Sequence, residues 1–299
     1  LCGVRSEMKA EFSEFTYGFS LVNELAKAMS LSAVPIFPSL LEEGKKGGGY
    51  DAKLKGKSGI ILNLQFKLSD WMKASNAREI GISGHTMTLP YYRFEITSKR
   101  ISEQQSLLLA LETIEPFTFY AAPAFHTNEE INAHWLSSAV AKNSVYMKPS
   151  KVGVLPDLKP HRVCFDKALK SKGKAYFFSE PQEIEVDQFA GFADHVAQAV
   201  NASTTSIMDR VDGTLDRYRE ALLDARRREN ERAASVDEVA RQPSDRILVE
   251  ETQDRLDRRL VRLDQITASG DDLDENQRLW QMAQVSTSLF GVQTFALFK

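Results

Sequence analysis

The clearest pattern in the chain runs over residues 60–68. Leu62, Leu64, Phe66 and Leu68 occupy one set of alternating positions, and Asn63, Gln65, Lys67 and Ser69 the other. Successive side chains of a strand project to opposite faces, so this run predicts a strand with one apolar and one polar row. Upstream, Phe12, Phe15, Phe19, Val22 and Ala26 recur at spacings of three and four, which predicts a helix over 11–29. Residues 33–41 are apolar but carry prolines and read as a short or edge strand. Gly47, Gly48 and Gly49 form a tight turn into a strand over 50–54, and a hairpin-like connection over 56–59 leads to the alternating strand.

Downstream, Ser69 and Asp70 offer caps for a short helix through Ala77. Strands are expected over 91–97 and 117–125, with a helix over 102–114 between them. Thr127 followed by Glu130 is a capping box that predicts a helix over 128–142. Short strands over 162–166 and 175–179 and a helix over 186–202 complete this part. The pattern is that of a mixed α/β (α+β) fold, a central sheet flanked by helices.

Lysine usage divides the chain. Lysines are scattered from Lys9 to Lys174, and the next is Lys299. Val211, Leu215, Tyr218 and Leu222 follow a seven-residue rhythm, and Val249, Leu256, Leu260 and Leu263 repeat it. Charges of both signs, including Arg226–Arg228 and Arg232, fill the other faces. This predicts a helical hairpin, jointed near Gln242–Ser244. Two regions follow, 1–202 and a helical 203–299. The apolar run over 279–298 is expected to pack on the body or on a partner.

Composition narrows the possibilities. The chain has 299 residues and a formal net charge of −3, with a pI near 6.1. It is no basic nucleic-acid binder as a whole, and contact with DNA would need a local patch. Lys45, Lys46, Lys53, Lys55 and Lys57 around the glycine turn supply the best one. Cys2 and Cys164 fit no metal-ligand spacing and read as reduced thiols. No apolar run is long enough to span a membrane, and the first residues lack a signal-peptide core, so a cytoplasmic location is expected. Met8 allows residues 1–7 to be an upstream extension with no structural role. No phosphate-binding loop, dinucleotide fingerprint, zinc-protease or serine-hydrolase motif stands in a credible setting. Any ATP-driven or sensing step would fall to a separate subunit.

The residues that carry chemistry lie around the glycine turn. If the strand opened by Asp51 pairs with the alternating strand, Asp51 meets Gln65 and Lys67, which share one face. A carboxylate holds Mg²⁺ through hard oxygen ligands. The metal polarises a phosphate and acidifies a bound water, and a lysine offsets the charge that develops. Gln65 gives only a neutral oxygen, so a further acid is expected from Glu24, Glu42 or Glu43. The other reading makes Gln65 and Lys67 the solvated face of an edge strand.

A helix with Glu, a glycine turn with Asp, a strand with Q-x-K, then helix and strand: this order over residues 11–97 resembles the PD-(D/E)XK nuclease fold. The Gln variant is similar to Mrr-like restriction endonucleases. The resemblance implies a restriction-endonuclease-like mixed sheet of four strands and Mg²⁺-dependent DNA cleavage, with Mn²⁺ as a substitute, and a role in defence against foreign DNA. By the same resemblance Asp51, Gln65 and the carbonyl of Phe66 would hold metal, Lys67 would be the catalytic lysine and Glu24 the helix-borne acid. The region from 203 would form a homodimer or dock a partner protein. Two rival readings are a catalytically inactive subunit of the same fold that binds nucleic acid or protein, and an adaptor acting through its helical tail. His126 and His134 lack a third ligand at suitable spacing and read as surface or capping residues.

Overall fold

The computed structural model describes residues 7–28, 57–74, 77–82, 87–98, 101–155, 159–178, 181–235, 243–268 and 273–298. In chain order the elements are β1 (Glu7–Met8), α1 (Glu14–Ala28), β2 (Gly59–Phe66), β3 (Asp70–Met72), α2 (Arg78–Ile82), β4 (Tyr91–Ile96), α3 (Gln104–Ile114) and β5 (Thr118–Pro123). There follow α4 (Asn128–Leu136), β6 (Ser144–Met147), α5 (Pro149–Val152), β7 (His161–Phe165), α6 (Lys167–Ser171), β8 (Lys174–Phe178), β9 (Gln182–Glu185) and α7 (Phe189–Ala202). The chain continues through α8 (Ile207–Ser235), α9 (Pro243–Thr267), α10 (Glu275–Val285), a π-helical turn (Ser286–Phe290) and β10 (Gln293–Phe298). The mixed α/β class expected from the pattern is the class observed. The strands form two sheets rather than one, with orders β10-β2-β5-β6 and β1-β3-β4-β7-β8-β9.

Contacts group the chain into two units. The first comprises Leu1–Pro35, Leu64–Ser98 and Phe119–Gln198, and the second Ile36–Asn63, Lys99–Thr118 and Ala199–Lys299. The last boundary falls close to residue 202, and the second unit also takes in two earlier segments. Both β2 and β5 run from one unit into the other.

In the first unit the antiparallel six-stranded sheet is tied together by charge. Arg93 on β4 is buried and bonds Glu7 (2.7 Å) and Glu79 (2.9 Å), while Lys9 holds Glu7 (2.8 Å) and Asp70 (3.1 Å). Glu7 therefore has a structural role, against the expectation for residues 1–7. Its carboxyl is lowered to about 2, first by the hydrogen bond from Lys9 and further by the charge of Arg93, against the opposing effect of desolvation.

The helix expected from Ser69 to Ala77 is not formed. Asp70–Met72 pairs with β1 on one edge and β4 on the other, and Asp70 gives its carboxylate to Lys9 instead of capping a helix. A short segment has little intrinsic preference, and its two flanking strands decide its conformation. The Thr127 capping box forms as expected, but α4 stops at Leu136. There Ser138 adopts a left-handed φ of 51°, and the following backbone turns toward α1.

In the second unit the seven-residue rhythm is used internally. Val211, Tyr218, Leu222, Leu256 and Leu263 are all buried, and α8 packs on α3, α9 and α10. The apolar tail is folded in as well, with Val285, Leu289, Phe290, Val292 and Leu297 buried. Each such side chain contributes about 1.5–3 kcal/mol on leaving water. Polar contacts fix the register. Glu103, ahead of α3, has a fully buried carboxylate gripped by Arg255 (2.9 Å) and Arg259 (2.7 Å) of α9. Ser106 bonds Glu229, Thr214 bonds Glu115, and Tyr218 bonds Ser286. Pro243 opens α9, where a missing N–H costs nothing.

Candidate functional site

The alternating run forms β2 as expected, but neither of its rows is solvated. All eight residues of β2 are buried. The strand is internal to its sheet, with β10 and β5 as neighbours. Hydrogen bonds from Asn63 N to Phe117 O (2.8 Å) and from Lys67 N to Ala121 O (2.9 Å) advance in the same direction, so β2 and β5 are parallel. The reading of Gln65 and Lys67 as an exposed edge face is thereby ruled out. On the apolar row, Phe66 packs against α1, its ring meeting Tyr17 edge-on at 5.9 Å between centroids. Gly18 permits this approach, since a Cβ there would lie 2.6 Å from the Phe66 ring.

On the polar row, Gln65 is buried and its Nε2 donates to the carbonyl oxygen of Phe66 at 3.1 Å. The amide side chain and the backbone carbonyl expected to supply oxygen ligands thus lie side by side. Lys67 follows at the end of β2 and is only 8% exposed. Its Nζ donates to Thr97 Oγ1 at 3.4 Å and stands 5.8 Å from the centre of the Tyr120 ring. Burial lowers the pKa of Lys67, while the charges of Glu14 on α1 and Glu95 on β4 act to raise it. Glu14 in turn is raised by desolvation and pulled back by Lys67. The result is an ammonium held in a largely dry position with two surface carboxylates acting on it.

The structure uses Glu24 differently from the expectation. Its two carboxylate oxygens accept the backbone N–H groups of Val140 and Ala141, each at 2.8 Å. Glu24 thereby closes the turn that leads into β6, and the acid that α1 sets against Lys67 is Glu14. Both are acids of one helix, and the spacing of residues alone does not tell which of its ends lies by the end of β2. Glu95, Thr97 and Tyr120 were not singled out by the sequence either. They come from strands that only the fold brings to Lys67.

Asp51, Glu42, Glu43, Lys45, Lys46, Lys53 and Lys55 lie outside the described residues. Lys57 is exposed, and its carbonyl accepts the N–H of Ile207. Among the described residues no group of three His, Cys, Asp or Glu side chains is placed to hold a metal ion. Of the surface and capping roles expected for His126, the surface one does not hold: the ring is buried and stacked on Trp71 at 4.6 Å, while its backbone N–H donates to Glu130 of the capping box at 2.8 Å. No helix among the described residues is long and apolar enough to cross a membrane.

No family model, curated protein or solved structure matches this chain.

Proposed function

We propose that this chain is a Mg²⁺-dependent endonuclease that hydrolyses DNA phosphodiester bonds at the end of β2. The observation that carries the reading is Lys67. Lys67 is buried just past the end of an internal strand, and burying its charge costs stability. Here it stands two residues from Gln65 and next to the Phe66 carbonyl. These residues suit a hard cation. Exchanging the oxygen and nitrogen of the Gln65 amide by rotation would set two oxygens about 3 Å apart at the strand end. Asp51 would supply the carboxylate, with Gln65 and Phe66 as the neutral ligands. Glu24 is left out of the set because its oxygens serve Val140 and Ala141.

When bound, the metal would acidify a water and polarise the scissile phosphate. Hydrolysis would join a water oxygen to phosphorus and break the bond to the leaving oxygen, which would take up a proton from solvent in place of the one the water gives up. Lys67 offsets the negative charge that gathers on the phosphoryl oxygens, in a place where little water screens it. Burial lowers the pKa of Lys67, and the charges of Glu14 and Glu95 act against that lowering. Exposed Lys57 remains a candidate for phosphate contact, together with Lys45, Lys46, Lys53 and Lys55. A role in defence against foreign DNA would follow from such an activity.

One observation favours a second reading. The neutral Gln65, together with the structural use of Glu24, leaves Asp51 as the principal acid, which suits a catalytically inactive subunit of nuclease-like fold. The test is cleavage of plasmid and linear DNA with Mg²⁺ or Mn²⁺ by wild type, Lys67→Ala and Asp51→Ala. Cutting by wild type alone, with both variants folded, supports the endonuclease. No cutting by any of them, with no Mn²⁺ binding heat that Asp51→Ala abolishes, supports the inactive subunit.

A further inference from the structure

Charge is unevenly spread along the chain. Residues 142–174 carry nine Lys and Arg against the acids Asp157 and Asp166, in a protein whose formal net charge is −3. Part of that positive charge is answered locally. Lys151 and Lys174 pair with Glu185 and Glu183 of β9, and Arg162 with Glu79. Asp166 is buried and gives its carboxylate to Thr88 and to the N–H of Leu169. Lys142, Lys167, Lys170 and Lys172 have no carboxylate partner among the described residues. Lys170 is half-buried and the other three are exposed.

The fold gathers these lysines instead of separating them. Lys167 and Lys170 are i, i+3 neighbours on α6, and Lys170 Nζ donates to the carbonyl oxygen of Lys142 at 2.9 Å. Burial and the charge of Lys142 both lower the pKa of Lys170. Like charges held together repel, and an anion seated on them relieves the repulsion. The cluster also has a set relation to the end of β2. Lys142 follows Val140 and Ala141, whose N–H groups Glu24 accepts, while Glu14 on the same helix acts on Lys67. Glu14 and Glu24 are about 15 Å apart along α1. All of these residues belong to the first unit.

We propose that Lys142, Lys167, Lys170 and Lys172 form a contact surface for the phosphate backbone of duplex DNA engaged at the end of β2. This deepens the endonuclease reading and rests on it for the identity of the polyanion. Two arguments select the occupant. The first is charge complementarity over distance. A duplex carries one negative charge per about 1.7 Å of its axis, so DNA held at the end of β2 also presents phosphates about 15 Å away. The second is what the surface lacks. A protein partner is held by aromatic and apolar anchors, and among the described residues α6 and the turn 139–143 expose no large apolar side chain. Lysines serving as point charges suit phosphate, and they carry no sequence preference.

The test is duplex DNA binding by fluorescence anisotropy over about 50 to 200 mM salt, with EDTA present so that cleavage is suspended. Lys142→Gln/Lys167→Gln removes two charges without ion-pair partners, and Lys151→Gln/Lys174→Gln removes two that are paired. The variants change net charge equally. The first is expected to lower the slope of log affinity against log salt by about 2 and to weaken binding at least about tenfold. The second should leave both close to wild type. Thermal melting should show both variants folded, since these side chains lie at the surface. An unchanged slope in the first variant, or equal losses in the two, overturns the proposal, as does wild type that binds no duplex. Polyglutamate binding that depends on Lys142 and Lys167, with DNA binding indifferent to them, overturns it in favour of an acidic protein. If no protein cuts DNA yet the slope still depends on the two lysines, the contact surface stands and the hydrolytic reading falls.

Discussion

Replacing Lys67 with methionine separates the demands of stability from those of chemistry. Methionine keeps most of the length of the lysine stem and removes the ammonium, whose side chain is 8% exposed. Taking an ion out of water costs several kcal/mol, and a buried charge exchanged for an apolar group of similar volume is often neutral or stabilising by about 1–4 kcal/mol. Glu14 and Glu95 lie at the surface, so losing Lys67 strands neither of them in the interior. Lys67→Met is therefore expected to be more stable than wild type by about 1 kcal/mol or more at pH 7, a shift on the order of 0.5 M in urea midpoint. The pH dependence has a definite sign. The folded-state pKa of Lys67 lies below its ordinary 10.5. Between the two values the unfolded chain binds more protons, and wild-type stability rises with pH. The variant lacks that rise, so its advantage should shrink as the pH approaches 10.5. Urea unfolding of both proteins from pH 7 to 10.5, with DNA cleavage measured alongside, reads out both effects. A variant less stable than wild type by 1 kcal/mol at pH 7, or a gap that does not narrow, would show that the ammonium is a net structural asset and refute the reasoning.

Glu24→Ala should cost about 2–4 kcal/mol, because two backbone N–H groups lose their acceptor. It should leave Mn²⁺ affinity unchanged by calorimetry, and a lost binding heat would return Glu24 to the ligand set. In Gly59→Ala the new Cβ would lie 2.0 Å from the carbonyl oxygen of Leu297, so β10 must shift. A loss of about 1–3 kcal/mol and faster hydrogen exchange over 293–298 are expected, and unchanged exchange there would contradict the pairing. Glu7 is held at about 2, so its share of stability is complete above the ordinary value of 4.5 and is lost as pH falls through about 2. Glu7→Gln should flatten urea midpoints over that window. Arg93→Ala, which leaves buried Glu79 without its closest cation, should cost about 3–5 kcal/mol at neutral pH.

What the sequence made legible was local. The alternation that marks β2, the Thr127 capping box and the seven-residue rhythm of α8 and α9 all depend on neighbours a few positions away. The burial of the polar row of β2 was not legible, because its partners are remote. Asn63 is satisfied by Thr118 (3.3 Å) and Thr294 (2.6 Å), and nothing in the run 60–68 announces them. Ser69 and Asp70 look like helix caps, yet Asp70–Met72 is a strand, because Lys9 and the flanking strands claim that segment. Of the candidate site, Gln65, Phe66 and Lys67 could be picked from the alternation. The choice between Glu14 and Glu24 depends on which end of α1 reaches the end of β2, which is a matter of packing geometry.

The pairing of β2 with β10 also has a consequence in time. Gly59 and Leu297 are in close contact across roughly 240 residues of intervening chain. Closing a loop of that length costs on the order of 5 kcal/mol in chain entropy. At usual elongation rates β2 leaves the ribosome roughly 10 to 50 s before β10. For that interval one edge of an apolar strand waits without its β10 partner, and such edges recruit other strands. Nascent copies should therefore depend on chaperones that shield this edge.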